Sequence, residues 1–141
     1  QSYSKLLENL LTRSGTIYIT SMIISEFSNV LLRRDFYQWK DNNNFHDKDF
    51  KKDFVGTTQY KNSVQTISIA IKKILTLPIV EMVGDNFNAI SIDRILQNFK
   101  TIDFNDSYII ELARLNQYRI VTNDGDFKKL DTNIDIITAL A

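Results

Sequence analysis

Short β-branched runs alternating with longer amphipathic stretches constrain this chain more than any other feature. Residues 16–20 (TIYIT), 79–83 (IVEMV), 119–122 (RIVT) and 134–138 (IDIIT) read as strands. Between them the apolar residues fall at helical spacing. Leu6, Leu7, Leu10 and Leu11 mark a first helix closed by Ser14–Gly15, and Ile23, Phe27, Val30 and Leu31 mark the buried face of a second, capped by Ser21. A helical segment at about 35–77 is interrupted around Asn42–Asn44 and at Gly56, and Pro78 stops it. A further helix lies between Gly84 and Thr101, and another runs from about Asn105 to Asn116. Parallel neighbours need crossover connections, and helices are the usual crossovers. The expected fold is therefore α/β, three-layered, with a mostly parallel sheet flanked by helices.

A chain of 141 residues suits one domain spanning 1–141, long enough to bury a core but short for two independent halves. It contains no cysteine, which removes disulfides, thiolate zinc sites and thiol nucleophiles and suits a reducing compartment, the cytoplasm being the natural expectation. No apolar run approaches the roughly 20 residues that span a bilayer. Formal charge is zero but uneven, because residues 33–73 hold nine Lys and Arg against five Asp. That segment interleaves Arg33, Arg34, Lys40, Lys48, Lys51 and Lys52 with Phe36, Tyr37, Trp39, Phe45, Phe50, Phe54 and Tyr60. One reading is a strip for RNA, cations tracking phosphates and rings stacking on bases. The other is core aromatics beneath a lysine-solvated exterior, the commoner outcome for amphipathic helices.

In such a sheet, strand C-termini and helix N-termini share one edge, where ligands bind. Asp124 lies two positions beyond the strand ending at Thr122, Asp106 opens the helix that leads back to that strand, and Glu26 follows the strand ending at Thr20. Ile110 and Ala113, at i+4 and i+7, put Asp106 on an apolar helix face, and Glu26 is wedged between Ile23 and Phe27. Clustered carboxylates repel unless protons or cations compensate. With a single histidine and no cysteine, the ligands are oxygens, which favours Mg2+ or Mn2+ over zinc or copper. Such ions activate water and stabilise the leaving oxygen of a phosphodiester. The structural alternatives are a dipole-favoured Asp at a helix start and an ordinary Asn-Asp-Gly turn. Asp85, in Gly84-Asp85-Asn86, ranks below these three, and His46 lies in a polar stretch. No phosphate-binding glycine loop is present, and the acidic pair and lysine of a receiver-type phosphoacceptor are not evident.

Three segments carry a family resemblance. Residues 21–32 (SMIISEFSNVLL), with a glutamate just after a strand, are similar to the second motif of PIN domains, the nuclease fold of VapC-like toxins and RNA-processing endonucleases. Residues 106–113 (DSYIIELA) resemble the third motif, and residues 122–127 (TNDGDF) resemble the fourth, the most specific of the set. The resemblance implies a metal-dependent endoribonuclease with Glu26, Asp106 and Asp124 as catalytic metal ligands, Asp126 as a further ligand and Thr122 in support. It also suggests the toxin of a toxin–antitoxin pair. The partners then expected are RNA, a cognate antitoxin protein and a second copy in a homodimer, with Arg33 and Arg34 as RNA or partner contacts. The family's first motif, an Asp ending a central strand, has no counterpart before the Leu6 helix. A sheet without its central strand leaves two open edges, so an upstream strand is expected. The same departure supports the alternative of a catalytically inactive PIN-like module that binds RNA or protein.

Overall fold

In the computed structural model, which describes residues 3–130 and 133–137, the elements follow one another as α1 (Tyr3–Thr12), β1 (Ile17–Ile19), α2 (Ser21–Asn43), a π-helical turn (Phe50–Phe54), α3 (Thr58–Leu75), β2 (Val80–Met82), α4 (Ile92–Phe99), α5 (Phe104–Asn116), β3 (Ile120–Val121), a 3-10 turn (Gly125–Lys129) and β4 (Ile136–Ile137). The alternation expected from sequence is present, and the fold class is α/β. The chain divides into a mid-chain unit, Thr16–Gly84, and a terminal unit, Gln1–Gly15 with Asp85–Ala141.

Each unit has its own parallel strand pair. In the mid-chain unit β1 pairs with β2 in the register Ile17 to Val80 and Ile19 to Met82. In the terminal unit β3 pairs with β4, Ile120 opposite Ile136. The expected three-layer sheet is thus represented by two separate two-stranded pairs. The physical reason is that no described segment supplies a strand to join them. The expected strand end at Thr138 lies outside the described residues.

The mid-chain unit is built on aromatic packing. Phe54 is fully buried and Phe36 nearly so, and the Phe36 ring meets Phe50 edge-on at 5.4 Å while Trp39 lies 5.2 Å from Phe54. Phe36 is the buried residue of α2, and α2 packs on α3. This corrects the expected buried stripe. Val30 is 68% exposed and Ile23 also lies open. The spacing of Ile23, Phe27, Val30 and Leu31 shows that they share a side of the helix, but the aromatic residues further along are the ones that meet Phe50 and Phe54 of the π-helical turn.

In the terminal unit Ile102, Ile110, Ala113, Ile120 and Phe127 form one core cluster, with Leu130, Ile134 and Ile136 packed against it. Ile110 is completely buried, which contributes about 1.5–3 kcal/mol relative to leaving it in water. The caps differ by one residue from those expected. Thr20, not Ser21, is the N-cap of α2, accepting the Ile23 amide at 3.4 Å. After α1 the left-handed residue is Ser14 (φ 56°), and the Gly15 amide then reaches the Leu10 carbonyl at 2.8 Å. A Cβ at Gly15 would come within 2.5 Å of Leu10 Cδ2, so the end of that flexible side chain would have to shift to admit it.

Candidate metal centre

The first turn of α5 places Asp106. Asp103 is the N-cap, its Oδ1 accepting the Asp106 amide at 2.8 Å, so Asp106 is the third residue of the helix and not its opening one. The same helix buries Ile110 and Ala113 in the core, and the spacing that links them to Asp106 draws this carboxylate inward. It is only 9% exposed. The face inferred from sequence is the face observed.

Asp124 and Asp126 are positioned by the turn after β3. The Asp124 amide donates to Thr122 Oγ1 at 3.0 Å, and Asp124 Oδ1 accepts the Asp126 amide at 2.8 Å as the cap of the 3-10 turn. Thr122 therefore shapes the turn. The Tyr3 hydroxyl lies 3.0 Å from the Thr122 carbonyl and 3.1 Å from Asn123 Oδ1, tying α1 to the same loop. Phe127, next in sequence, anchors the turn in the core.

Asp106, Asp124 and Asp126 converge, each offering a carboxylate oxygen within 4.8 Å of the others. Three negative charges at that spacing repel, and the burial of Asp106 weakens solvent screening. The donor set consists of carboxylate oxygens alone. That chemistry fits a hard divalent cation such as Mg2+ or Mn2+. A partial counter-charge is already in place, because Lys129 Nζ lies 2.6 Å from Asp126 Oδ1. The Asp126 carboxylate, with the charge of Asp124 adding to it, holds the Lys129 pKa above its ordinary value.

Glu26 lies elsewhere in the chain's organisation. It sits half-buried on α2 in the mid-chain unit, whereas the converging aspartates belong to the terminal unit. Arg33 and Arg34 each have an internal contact: the Arg33 guanidinium sits 3.9 Å above the Phe50 ring and Arg34 Nη2 lies 3.0 Å from Asp35 Oδ1. Lys40 and Lys48 likewise lie over the rings of Phe36 and Phe45. Of the interleaved aromatics, Phe36 and Phe54 are buried, Trp39, Phe45, Phe50 and Tyr60 are half-buried and Tyr37 is exposed, so the segment mixes both readings. His46 is exposed, and the Asp85 carbonyl accepts the Tyr108 hydroxyl at 2.5 Å.

Sequence reasoning passed over Asp103, Tyr3 and Lys129. Asp103 was within reach, because Asp-x-x-Asp before an apolar run is a capping pattern. Lys129 gives a weaker signal, since its pairing with Asp126 depends on the intervening turn being helical. Tyr3 contacts a loop 119 residues away and leaves no local trace.

The PIN domain family profile matches residues 1–133. No curated protein and no solved structure matches the chain. PIN domains are generally nucleases, commonly ribonucleases dependent on divalent metals such as Mg2+ or Mn2+.

Proposed function

The chain belongs to the PIN domain family, and from that premise we propose that it is a single-domain, divalent-metal-dependent endoribonuclease hydrolysing RNA phosphodiesters. The observation that carries the reading is the convergence of Asp106, Asp124 and Asp126 within 4.8 Å, with Asp106 buried. A bound Mg2+ or Mn2+ supplies charge stabilisation at the phosphate and activation of the attacking water. The chain's own residues hold and orient. Asp106 is fixed by the capped start of α5 and Asp124 by its bond to the Asp126 amide, while a ligand role for Glu26 rests on the family resemblance. Thr122 sets the angle of the loop. Arg34, its side chain 65% exposed, supplies a contact to the RNA backbone.

The wider assignment is the toxin of a toxin–antitoxin pair, acting in the cytoplasm, with RNA as substrate, a cognate antitoxin as inhibitor and a homodimer as the working form. Among the described residues no helix is long and apolar enough to cross a membrane.

Cleavage of a mixed RNA substrate tests the reading. The expected result is cutting in Mn2+ that stops in EDTA and in Asp106→Asn or Asp124→Asn, with the fold retained. Cutting that persists through both substitutions and excess EDTA would refute it. A second reading has one observation of its own: Lys129 already pairs with Asp126, and so offsets part of the cluster's charge without a metal. In that case the chain is a catalytically inactive RNA-binding or protein-interaction module, and its partner binding is indifferent to EDTA.

A further inference from the structure

Where α4 packs on α5 the terminal unit has an open recess of about 220 Å3, lined by Arg94, Gln97, Asn98, Glu111 and Arg114. None of these residues belongs to the acidic cluster. Glu111 is the anchor, 6% exposed. Its Oε1 accepts Asn98 Nδ2 at 3.1 Å, and its Oε2 lies 3.3 Å from Arg114 Nε and 4.0 Å from Arg94 Nη1. Burying a carboxylate is costly unless it is paired, and here it is paired with two guanidinium groups at once. One arginine would satisfy the ion pair, so the recess carries a surplus positive charge. At its rim Lys100 Nζ lies 3.1 Å from Gln97 Oε1 and brings another cation close by. Arg114 Nε is also buried without a hydrogen-bond acceptor among the described residues, close to Glu111 but not in hydrogen-bonding geometry.

We propose that this arginine pair is a phosphate subsite that takes one backbone phosphodiester of a bound RNA strand. The proposal rests on the nuclease reading for the identity of the strand. Three features favour this ligand. A guanidinium presents its N–H groups as a planar fork matched to two phosphate oxygens. The net charge of two arginines about one carboxylate equals that needed for a phosphodiester monoanion. Finally, α5 carries both Asp106 and Arg114, eight residues apart, or about 12 Å along the helix axis. That separation is within the reach of a short RNA strand whose next phosphates extend from the aspartates along the helix. Glu111 is then a positioning residue that pins both guanidiniums before RNA arrives. A contact of this kind sets where the strand lies and reads no bases.

The test is the salt dependence of single-stranded RNA binding, measured by fluorescence anisotropy on the full chain in EDTA so that metal-dependent cleavage is silent. Arg94 is replaced because its side chain is 63% exposed, so its loss removes no core packing. Arg94→Gln is expected to weaken binding severalfold, equally for different sequences, and to lower the slope of log K against log salt by about 0.7, the value for one lost phosphate contact on a single strand. Arg94→Lys, which keeps the charge, restores the slope. An unchanged slope in Arg94→Gln, or no RNA binding by the wild-type chain, overturns the subsite. Cleavage in Mn2+ is scored in parallel. Metal-dependent cutting alongside an unchanged slope removes the subsite and leaves the nuclease reading standing, whereas absence of cutting alongside the predicted slope change does the reverse.

Discussion

At the scale of single residues, each carboxylate of the cluster is held by a particular partner. Asp103 touches no proposed ligand, yet it caps the helix that carries Asp106. Asp103→Ala is expected to cost about 1 kcal/mol of stability, the usual loss of an N-cap, read as a lowered midpoint in urea unfolding. Lys129 acts in the opposite sense, because its ammonium occupies Asp126. Lys129→Met should bind Mn2+ more tightly than the wild type by calorimetry; equal affinities would mean that the ion pair does not compete with the metal. The inward face of Asp106 was legible from its spacing to Ile110 and Ala113. The partner of Asp126 was not, since it requires knowing that residues 125–129 form a helical turn.

Elements show where periodicity stops being informative. The spacing of apolar residues located the start of α2 but not its continuation as one helix to Asn43, and Val30 is open and Phe36 buried, because a helix buries whichever part meets a partner. Loop-borne aromatics such as Phe50 and Phe54 decided that meeting, and their positions depend on a π-helical turn that sequence pattern does not announce. The ends of α5 were read to within a residue, whereas α4 begins at Ile92, well after Gly84, and α3 ends at Leu75, before Pro78; several helix ends have a physical signature. Ser14, Asn44 and Gln117 adopt left-handed geometry at positions where glycine is favoured. Gln117, with φ 58°, ends α5 and directs the chain toward β3. Gln117→Gly is expected to stabilise the protein by about 0.5–1 kcal/mol, the left-handed penalty of roughly 1–2 kcal/mol less the roughly 0.5–1 kcal/mol of added glycine entropy, raising the thermal midpoint by roughly 2–4 °C for a chain of this size. A lower midpoint would show that another contact of Gln117 outweighs the strain.

For the whole molecule, the alternation of strand and helix identified the fold class, while the sheet itself was only partly legible. Pairing between distant strands leaves no local signature, and β1–β2 and β3–β4 form separate pairs. The four strand runs were nonetheless located, as was the edge position of Asp124. Stability should also carry an alkaline limb. Burial raises the Tyr108 pKa, and the charge of Asp85 adds to it. The folded state therefore retains the phenolic proton longer than the unfolded chain does. This contribution is intact below the ordinary tyrosine value of 10.0 and is lost as pH rises through the higher folded value. Urea unfolding between pH 9 and 11, about the ordinary tyrosine pKa, should show wild-type stability falling more steeply than that of Tyr108→Phe. Parallel slopes would assign the alkaline limb to other groups.

The central claim is that Asp106, Asp124 and Asp126 form a metal centre, and Mn2+ binding to the RNA-free chain tests it most directly. Calorimetric titration should show a binding event in the wild type that weakens tenfold or more, about 1.4 kcal/mol, in Asp106→Asn, with no loss of the folded signal by circular dichroism. Equal Mn2+ affinity in wild type and variant would contradict the account.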